Sequence, residues 1–184
     1  PVTFGGFLDT YIDYDFDSPP DHNRVFTTQP ARANEPNINL GYLDAKIDLD
    51  NKVRGRFAIQ AGTSVTANYA AESAAWVKYI QEAVVGYHLT DKLWLDGGIY
   101  FSHIGFESWI SKDDWTYTRS MVGDFSPYYQ EGAKATYQWT DSLSTQLNVL
   151  NGWHNISSNA GSVALGLQVA YAPSEKFSAT YNNF

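Results

Sequence analysis

The sequence predicts an all-β fold, and within that class a transmembrane antiparallel up-and-down β-barrel. Nine short runs of the chain alternate apolar and polar residues. The clearest run covers residues 163–171, and its apolar positions are Val163, Leu165, Leu167, Val169 and Tyr171. A period of two indicates strands, because successive side chains of a strand point to opposite faces. The connections between the runs alternate short and long, an arrangement typical of outer-membrane barrels.

Nine strands are predicted in chain order, over residues 3–16, 37–49, 53–62, 76–89, 93–102, 127–139, 143–151, 162–172 and 177–184. Short turns are expected near residues 50–52, 90–92, 140–142 and 173–176, and long loops near residues 17–36, 63–75, 103–126 and 152–161. The loop at 63–75 is rich in Ala, Ser and Thr, so part of it is compatible with a short helix. Leu40 and Tyr42 fall out of phase with the rest of their strand, which predicts a β-bulge near Gly41.

Aromatic side chains make up 16% of the sequence, and ten of them share the apolar phase of their strands. We expect them to form two girdles at the water–lipid boundaries, as in membrane barrels. The girdle near the short turns would contain Tyr87, Tyr137, Trp139, Tyr171 and Phe177. The girdle near the long loops would contain Tyr14, Phe16, Tyr79, Phe101 and Tyr129.

Composition excludes several classes of protein. The net charge of −8 and the lack of a basic stripe argue against a nucleic-acid partner. The sequence contains no cysteine, so it carries neither a disulfide framework nor a thiolate metal site. No run approaches the ~18 consecutive apolar residues of a transmembrane helix. A barrel strand, in contrast, needs apolar residues only at alternate positions.

The number of predicted strands is odd, whereas bacterial single-chain barrels have even numbers. A ninth strand ending on the outer side would also leave an open edge that lipid cannot satisfy. We therefore interpret residues 1–184 as a single outer-membrane β-barrel domain that covers only part of a larger barrel. The alternatives are a wrongly divided strand or a second chain that closes the barrel. The chain begins at Pro1 without a signal-like stretch, so we expect that any export signal has been removed.

Several motifs occur in a fixed order along the chain: Gly6-Phe-Leu-Asp-Thr-Tyr11, Asp96-Gly-Gly-Ile-Tyr-Phe-Ser-His-Ile-Gly-Phe-Glu107, Asp113-Asp-Trp-Thr-Tyr-Thr-Arg-Ser120, Tyr129-Gln-Glu-Gly-Ala-Lys-Ala-Thr-Tyr137 and Val149-Leu-Asn-Gly-Trp153. In this order and spacing, the chain resembles the β-barrel porins of the OmpL-like outer-membrane family. The resemblance implies a long single-chain barrel with porin-like permeation. It implies no defined substrate and no catalytic residues.

Charged and polar residues occupy the opposite phase of the strands and form a candidate pore lining. By strand parity the lining consists of Asp9, Asp13, Asp44, Lys46, Asp48, Arg54, Arg56, Lys78, Glu82, Asp96, Tyr100 and Lys134. Such mixed charges either line a water channel or pair with one another and plug it. We expect Arg54 and Arg56 near Asp44 and Asp48, either as cross-strand pairs that support the wall or as an ion-filtering ring.

The longest loop holds a second candidate region, composed of Glu107, Trp109, Asp113, Asp114, Trp115 and Arg119. It either folds into the lumen as a constriction or caps the outer mouth, unless it is an ordinary surface loop. Two adjacent acids supply too few oxygens for calcium, which takes about six ligands, so no metal site is expected. We also expect no cofactor and no enzymatic activity, because the four histidines are scattered and adjacent strand residues such as Ser102 and His103 point apart.

These features together predict an outer-membrane channel for passive diffusion of small hydrophilic solutes or ions. We expect it in the outer membrane of a Gram-negative-type bacterium, with periplasmic short turns and extracellular long loops. Membrane lipid is the expected partner, and a homo-oligomer or an envelope complex is compatible with the sequence. One alternative is a plugged barrel that acts as a structural anchor or interaction subunit of an envelope complex. A third hypothesis is a soluble β-barrel or sandwich that binds a small ligand, which requires the apolar face inside.

Overall fold

The computed structural model describes residues 1–157, 161 and 163–184. Its main feature is one nine-stranded sheet, made of β1 (Val2–Ile12), β2 (Pro36–Leu49), β3 (Val53–Ala61), β4 (Ile80–Thr90), β5 (Leu93–Phe101), β6 (Tyr129–Thr140), β7 (Leu143–Leu150), β8 (Ala164–Ser174) and β9 (Phe177–Asn183). Two short helices, α1 (Thr63–Asn68) and α2 (Met121–Asp124), lie in the long loops, together with 3-10 turns at Val77–Tyr79 and Ser111–Asp113. Among the described residues, no helix is both long and apolar enough to cross a membrane.

Each strand pairs antiparallel with the next strand along the chain, in the order β1 to β9. The predicted all-β, up-and-down arrangement of antiparallel strands is therefore confirmed. Among the described residues, β1 and β9 each have one strand neighbour, so the sheet is not closed onto itself. Short turns join β2 to β3, β4 to β5, β6 to β7 and β8 to β9, and the other connections are long, as expected.

Four predicted strand ends are wrong by two residues or more, including the end of the eighth strand, which continues to Ser174 instead of residue 172. The first strand stops at Ile12 instead of residue 16, because the following chain turns away and the Asn34 amide donates to the Asp13 carbonyl. The predicted strand at 76–89 starts with a 3-10 turn, and β4 begins only at Ile80. The sixth strand begins at Tyr129 instead of residue 127. The predicted start of the eighth strand, at residue 162, lies outside the described residues.

The expected bulge in β2 is present, two residues before Gly41. Asp9 pairs with Leu40, whereas the next residue of β1 pairs with Ile38, so Asn39 is the extra residue. Because of this insertion, the side chains of both Asn39 and Leu40 are fully buried, and Ile38 returns to the exposed side. The bulge therefore explains why Ile38, which has the same parity as the buried Leu40 and Asp44, lies on the exposed side.

The two faces of the sheet differ in polarity. On β7, Leu147 is 60% exposed whereas the adjacent Asn148 is buried. A similar alternation is present on β1 to β6 and on β8, whereas nearly all of β9 is exposed. One face exposes Phe4, Leu8, Leu43, Phe57, Val85 and Leu165, and the other buries Asp9, Asp44, Gln60, Glu82, Asp96 and Gln130. We call these the apolar face and the charged face. This arrangement is the reverse of a water-soluble β-protein, in which the apolar side chains would be the buried ones.

Two girdle residues expected near the long loops, Tyr129 and Phe101, are covered by other side chains, and Tyr137 near the short turns is half-buried. Tyr129 is 2% exposed, because its ring stacks on Tyr69 at a centroid distance of 4.0 Å and lies 4.1 Å from the ring of His154. Phe101 is half-buried against the same cluster. Side chains from the long loops cover this end of β5 and β6, and the Phe101 ring centroid lies 5.9 Å from the Arg56 guanidinium on the charged face. The prediction that Tyr129 and Phe101 face lipid is therefore wrong.

Gly98 of β5 sits where a side chain cannot fit. Its φ is +127°, a backbone conformation that strains other residues, and a Cβ atom would lie 2.0 Å from the carbonyl oxygen of Ala83 on β4. The neighbouring Gly97 has open space, since the nearest atom to an added Cβ would be the Gly132 oxygen at 3.9 Å. The close approach of β4 and β5 therefore depends on glycine at position 98 and not on glycine at position 97.

We expect Gly98→Ala to lower the free energy of unfolding by about 1–3 kcal/mol or more, because it adds backbone strain and a steric clash. Gly97→Ala is the matched control and should change it by less than about 0.5 kcal/mol. Urea unfolding in detergent micelles, followed by tryptophan fluorescence, measures both effects. Equal effects of the two substitutions would contradict the strand geometry described above.

Candidate functional site

The charged face carries an ion pair that spans three strands. Arg54 on β3 lies opposite Gly86 on β4, which lies opposite Asp96 on β5. Arg54 donates to both carboxylate oxygens of Asp96, from Nε at 2.8 Å and from Nη2 at 2.7 Å. A Cβ atom on Gly86 would lie 2.1 Å from Oδ1 of Asp96, so the missing side chain provides the space in which the pair meets. Arg54 also lies directly opposite Asp48 on β2, as expected, but its guanidinium pairs with Asp96 instead.

Arg56 forms a second paired group beside the first. Its guanidinium binds Asp44 on β2, at 3.1 Å from Nε to Oδ2, and also binds Glu82 on β4. The expected proximity of Arg56 to Asp44 is therefore present. Both carboxylates are buried, and a buried carboxylate is costly unless a cation satisfies it. Lys46 lies 3.9 Å from the same Asp44 oxygen, but its side chain is 63% exposed, so its ammonium group is accessible to solvent.

These groups line an open recess of about 530 Å³ on the charged face. Lys134 contributes from β6, and its ammonium lies 4.3 Å above the ring of Tyr100. Eight of the twelve residues predicted as pore lining meet here: Lys46, Asp48, Arg54, Arg56, Glu82, Asp96, Tyr100 and Lys134. Asp44 joins them through Arg56. The alternation of side chains along the strands therefore places most of the residues predicted as pore lining around this recess.

Two predicted lining residues lie elsewhere. Asp13 follows the end of β1 and forms an ion pair with Arg24 in the first long loop, at 3.0 Å. Lys78 belongs to the 3-10 turn before β4, and its ammonium lies 5.2 Å from the ring of the exposed Tyr79. Their placement by strand parity is wrong, because neither residue is in a strand.

Asp9 is the remaining residue of the predicted pore lining, and it anchors the longest loop to the charged face. Its buried carboxylate accepts hydrogen bonds from Asn39 in the β2 bulge at 2.7 Å, from the Ser111 hydroxyl at 2.8 Å and from the Tyr117 hydroxyl at 3.1 Å. Burial, and then the nearby Asp9 carboxylate, raise the pKa of Tyr117, so this hydroxyl stays protonated and donates. Sequence analysis did not single out Asn39 or Ser111, whose signal is only a polar side chain at a bulge or in a loop.

A second anchor of the 103–126 loop is Trp109. Its indole Nε1 donates to Oε1 of Gln60 on the charged face of β3, at 3.1 Å, and its ring is 4% exposed. The ring packs in a buried apolar cluster built mainly from loop residues, which also contains Val65, Tyr69, Ile110, Tyr128 and Ile156. Part of the loop therefore lies against the charged face of β1 and β3.

Arg119 ties the same loop to the first long loop. Its buried guanidinium stacks 3.8 Å from the centroid of the Tyr128 ring, and Nη2 donates to the Thr28 hydroxyl at 3.3 Å. Thr28 in turn donates to Asp124 at 2.8 Å. His154 packs against Tyr128, and burial, together with the charge of Arg119, lowers the pKa of His154 to about 4. The histidine is therefore neutral near pH 7 and acts as part of the packed cluster.

The other four residues predicted for this loop lie away from the anchors. Glu107, Asp113, Asp114 and Trp115 surround an open cavity of about 510 Å³. Glu107 accepts from the Ser120 amide at 2.8 Å, and Asp114 accepts from the Ser108 amide at 2.7 Å. The predicted region is thus divided, with Trp109 and Arg119 buried and the other four at the surface. In the described part of the chain, no three His, Cys, Asp or Glu side chains are grouped to hold a metal ion.

The family of the chain follows from a comparison with protein-family models. The model described as "Putative beta-barrel porin-2, OmpL-like" matches residues 1–184, the whole length of the chain. The chain belongs to this family. The match confirms the resemblance inferred from the ordered motifs, and it supports a porin-like role at the level of the family. Searches of curated proteins and of solved structures each returned no match to the chain.

We expect Asp9→Ala to release the 103–126 loop, because the substitution removes the acceptor of three hydrogen bonds. Hydrogen bonds to a charged group contribute about 1.5–3 kcal/mol each, so trypsin should cut after Lys112 at least about tenfold faster. Asp13→Ala is the control, since its partner Arg24 lies in another loop. Limited digestion in detergent, read by mass spectrometry, tests this. Equal cleavage rates in both variants would show that Asp9 does not hold the loop.

Proposed function

We propose that this OmpL-like porin forms an outer-membrane channel through which small hydrophilic solutes or ions diffuse passively. One observation carries the proposal: the strands of one continuous sheet expose apolar side chains on one face, and β2 to β5 gather paired charges on the other. An apolar face of this extent suits hydrocarbon, and a sheet satisfies the backbone groups of its inner strands without water. The charged face then faces the water-filled interior.

The chemistry of the charged face is suited to polar solutes. Asp44, Glu82 and Asp96 are buried but neutralised by arginines, so the wall keeps a fixed pattern of charge without isolated buried ions. Lys46 and Arg54 remain about half exposed or more, and they are available to solutes. Fixed charges of both signs along a wet wall select ions by local attraction and repulsion. No catalytic step is part of this proposal, in keeping with membership of a porin family.

The 103–126 loop would narrow the pathway. Its anchors to Asp9 and Gln60 are on the face that we assign to the interior, so Trp109 and Ser111 occupy space beside the wall. In the proposed orientation, the short turns lie in the periplasm and the long loops lie outside a Gram-negative-type cell. Membrane lipid covers the apolar face.

A second candidate is a plugged barrel that serves as an anchor or interaction subunit in an envelope complex. The buried loop residues favour it, because Trp109 fills space on the charged face beside Gln60 and Arg119 is buried against the rings of Trp109 and Tyr128. The two candidates share the barrel and differ in whether water and ions pass through it.

Conductance of the purified full-length protein in planar lipid bilayers separates these candidates. The channel proposal predicts discrete conductance steps, and the plugged barrel predicts none. We further expect Lys46→Glu to raise the permeability of cations relative to anions, because it reverses an exposed charge in the recess. Lys52→Glu, in the turn between β2 and β3, is the matched control and should have a much smaller effect. Absence of conductance would remove the channel function and leave the barrel.

A further inference from the structure

The cavity beside the 103–126 loop has two aromatic walls that no part of the described chain covers. Trp115 is 94% exposed and Phe106 is 90% exposed, and both line the cavity of about 510 Å³. Its size is within the range of small-ligand pockets, which is roughly 300–1,000 Å³. Exposing two large rings at one site is unfavourable in water, so their presentation at a concave surface indicates a binding role.

Carboxylates set the charge of this cavity. Glu107, Asp113 and Asp114 all line it, and the hydrogen bonds from Ser120 and Ser108 fix Glu107 and Asp114 in place. The carboxyl groups of Glu107, Asp113 and Asp114 therefore give the wall of the cavity a negative charge.

Cations of this chain do not neutralise the cavity. Lys112 lies 3.6 Å from Asp113, but both side chains are more than half exposed, and such pairs are weak in water. The buried guanidinium of Arg119 stacks on the Tyr128 ring and interacts electrostatically with Asp124, Asp114 and Glu107. With Asp113, these are four carboxyl groups against two cations. The cavity therefore remains negative, which excludes phosphate and other anions as ligands.

We propose that this cavity binds a small organic cation, with its ammonium group over the rings of Trp115 and Phe106 and its charge facing the three carboxylates. Two features favour such a ligand over a metal ion. The acids are not grouped as metal ligands in the described residues, and exposed aromatic rings attract ammonium groups through their π faces. The site is separate from the charged recess, so the inference does not depend on conductance.

Choline and its neutral isostere 3,3-dimethyl-1-butanol provide the test, because they have nearly the same shape and differ in charge. Both are titrated against the full chain in non-ionic detergent micelles and observed by ligand NMR. We expect choline to bind at least about tenfold more tightly than the alcohol, which corresponds to the ~1–2 kcal/mol of a desolvated cation–π contact. Trehalose, a neutral sugar, should not compete.

Three variants locate the binding. Trp115→Ala should weaken choline binding about tenfold, and Asp113→Asn should weaken it several-fold without removing a contact that holds the loop. Trp139→Ala is the control, because Trp139 is exposed at the opposite end of the sheet. Equal binding of choline and the alcohol, absence of choline binding, displacement by trehalose, or an equal loss in Trp139→Ala would each overturn the proposal.

Discussion

The hydrogen-bonded sheet fixes the direction of every side chain on its strands, and the rest of the structure depends on that constraint. Because neighbouring strands pair in register, residues of one phase meet on one face across the whole sheet. A shift of one residue would exchange the two faces. The single extra residue Asn39 shows this locally, since it changes the phase of β2 and turns Ile38 outward. The charged recess and the apolar exterior are both consequences of the maintained register.

Glycines leave the space in which polar side chains meet on the charged face. Gly86 lies between Arg54 and Asp96 in the cross-strand row, and its missing side chain lets an ion pair form across β4. Gly166 acts similarly on β8, where an added Cβ would lie 2.6 Å from the ring of His103, which extends from the long loop to the carbonyl of Asn183. The pattern of glycines therefore positions polar side chains that come from distant parts of the chain.

Local pattern predicted the strands well and the loops poorly. The β2–β3 hairpin was placed to within one residue at each end, because phase and a polar turn determine it. The pairing of Arg56 with Asp44 follows from that hairpin. The partner of Arg54 was missed because Asp96 is two strands away and the space over Gly86 is visible only in three dimensions. The burial of Tyr129 was missed for the same kind of reason, since loop residues far along the chain cover it.

The most direct test of the account is a spin-label scan of β7 in lipid vesicles. The sequence has no cysteine, so a single cysteine at each of positions 144–149 gives one unambiguous label per protein. Collision rates with oxygen, which concentrates in lipid, and with a water-soluble nickel complex report the surroundings of each label. The account predicts that oxygen accessibility is high at Thr145, Leu147 and Val149 and low at the positions between them, with the opposite pattern for nickel. The same accessibility at every position, or alternation with the two faces exchanged, would contradict it.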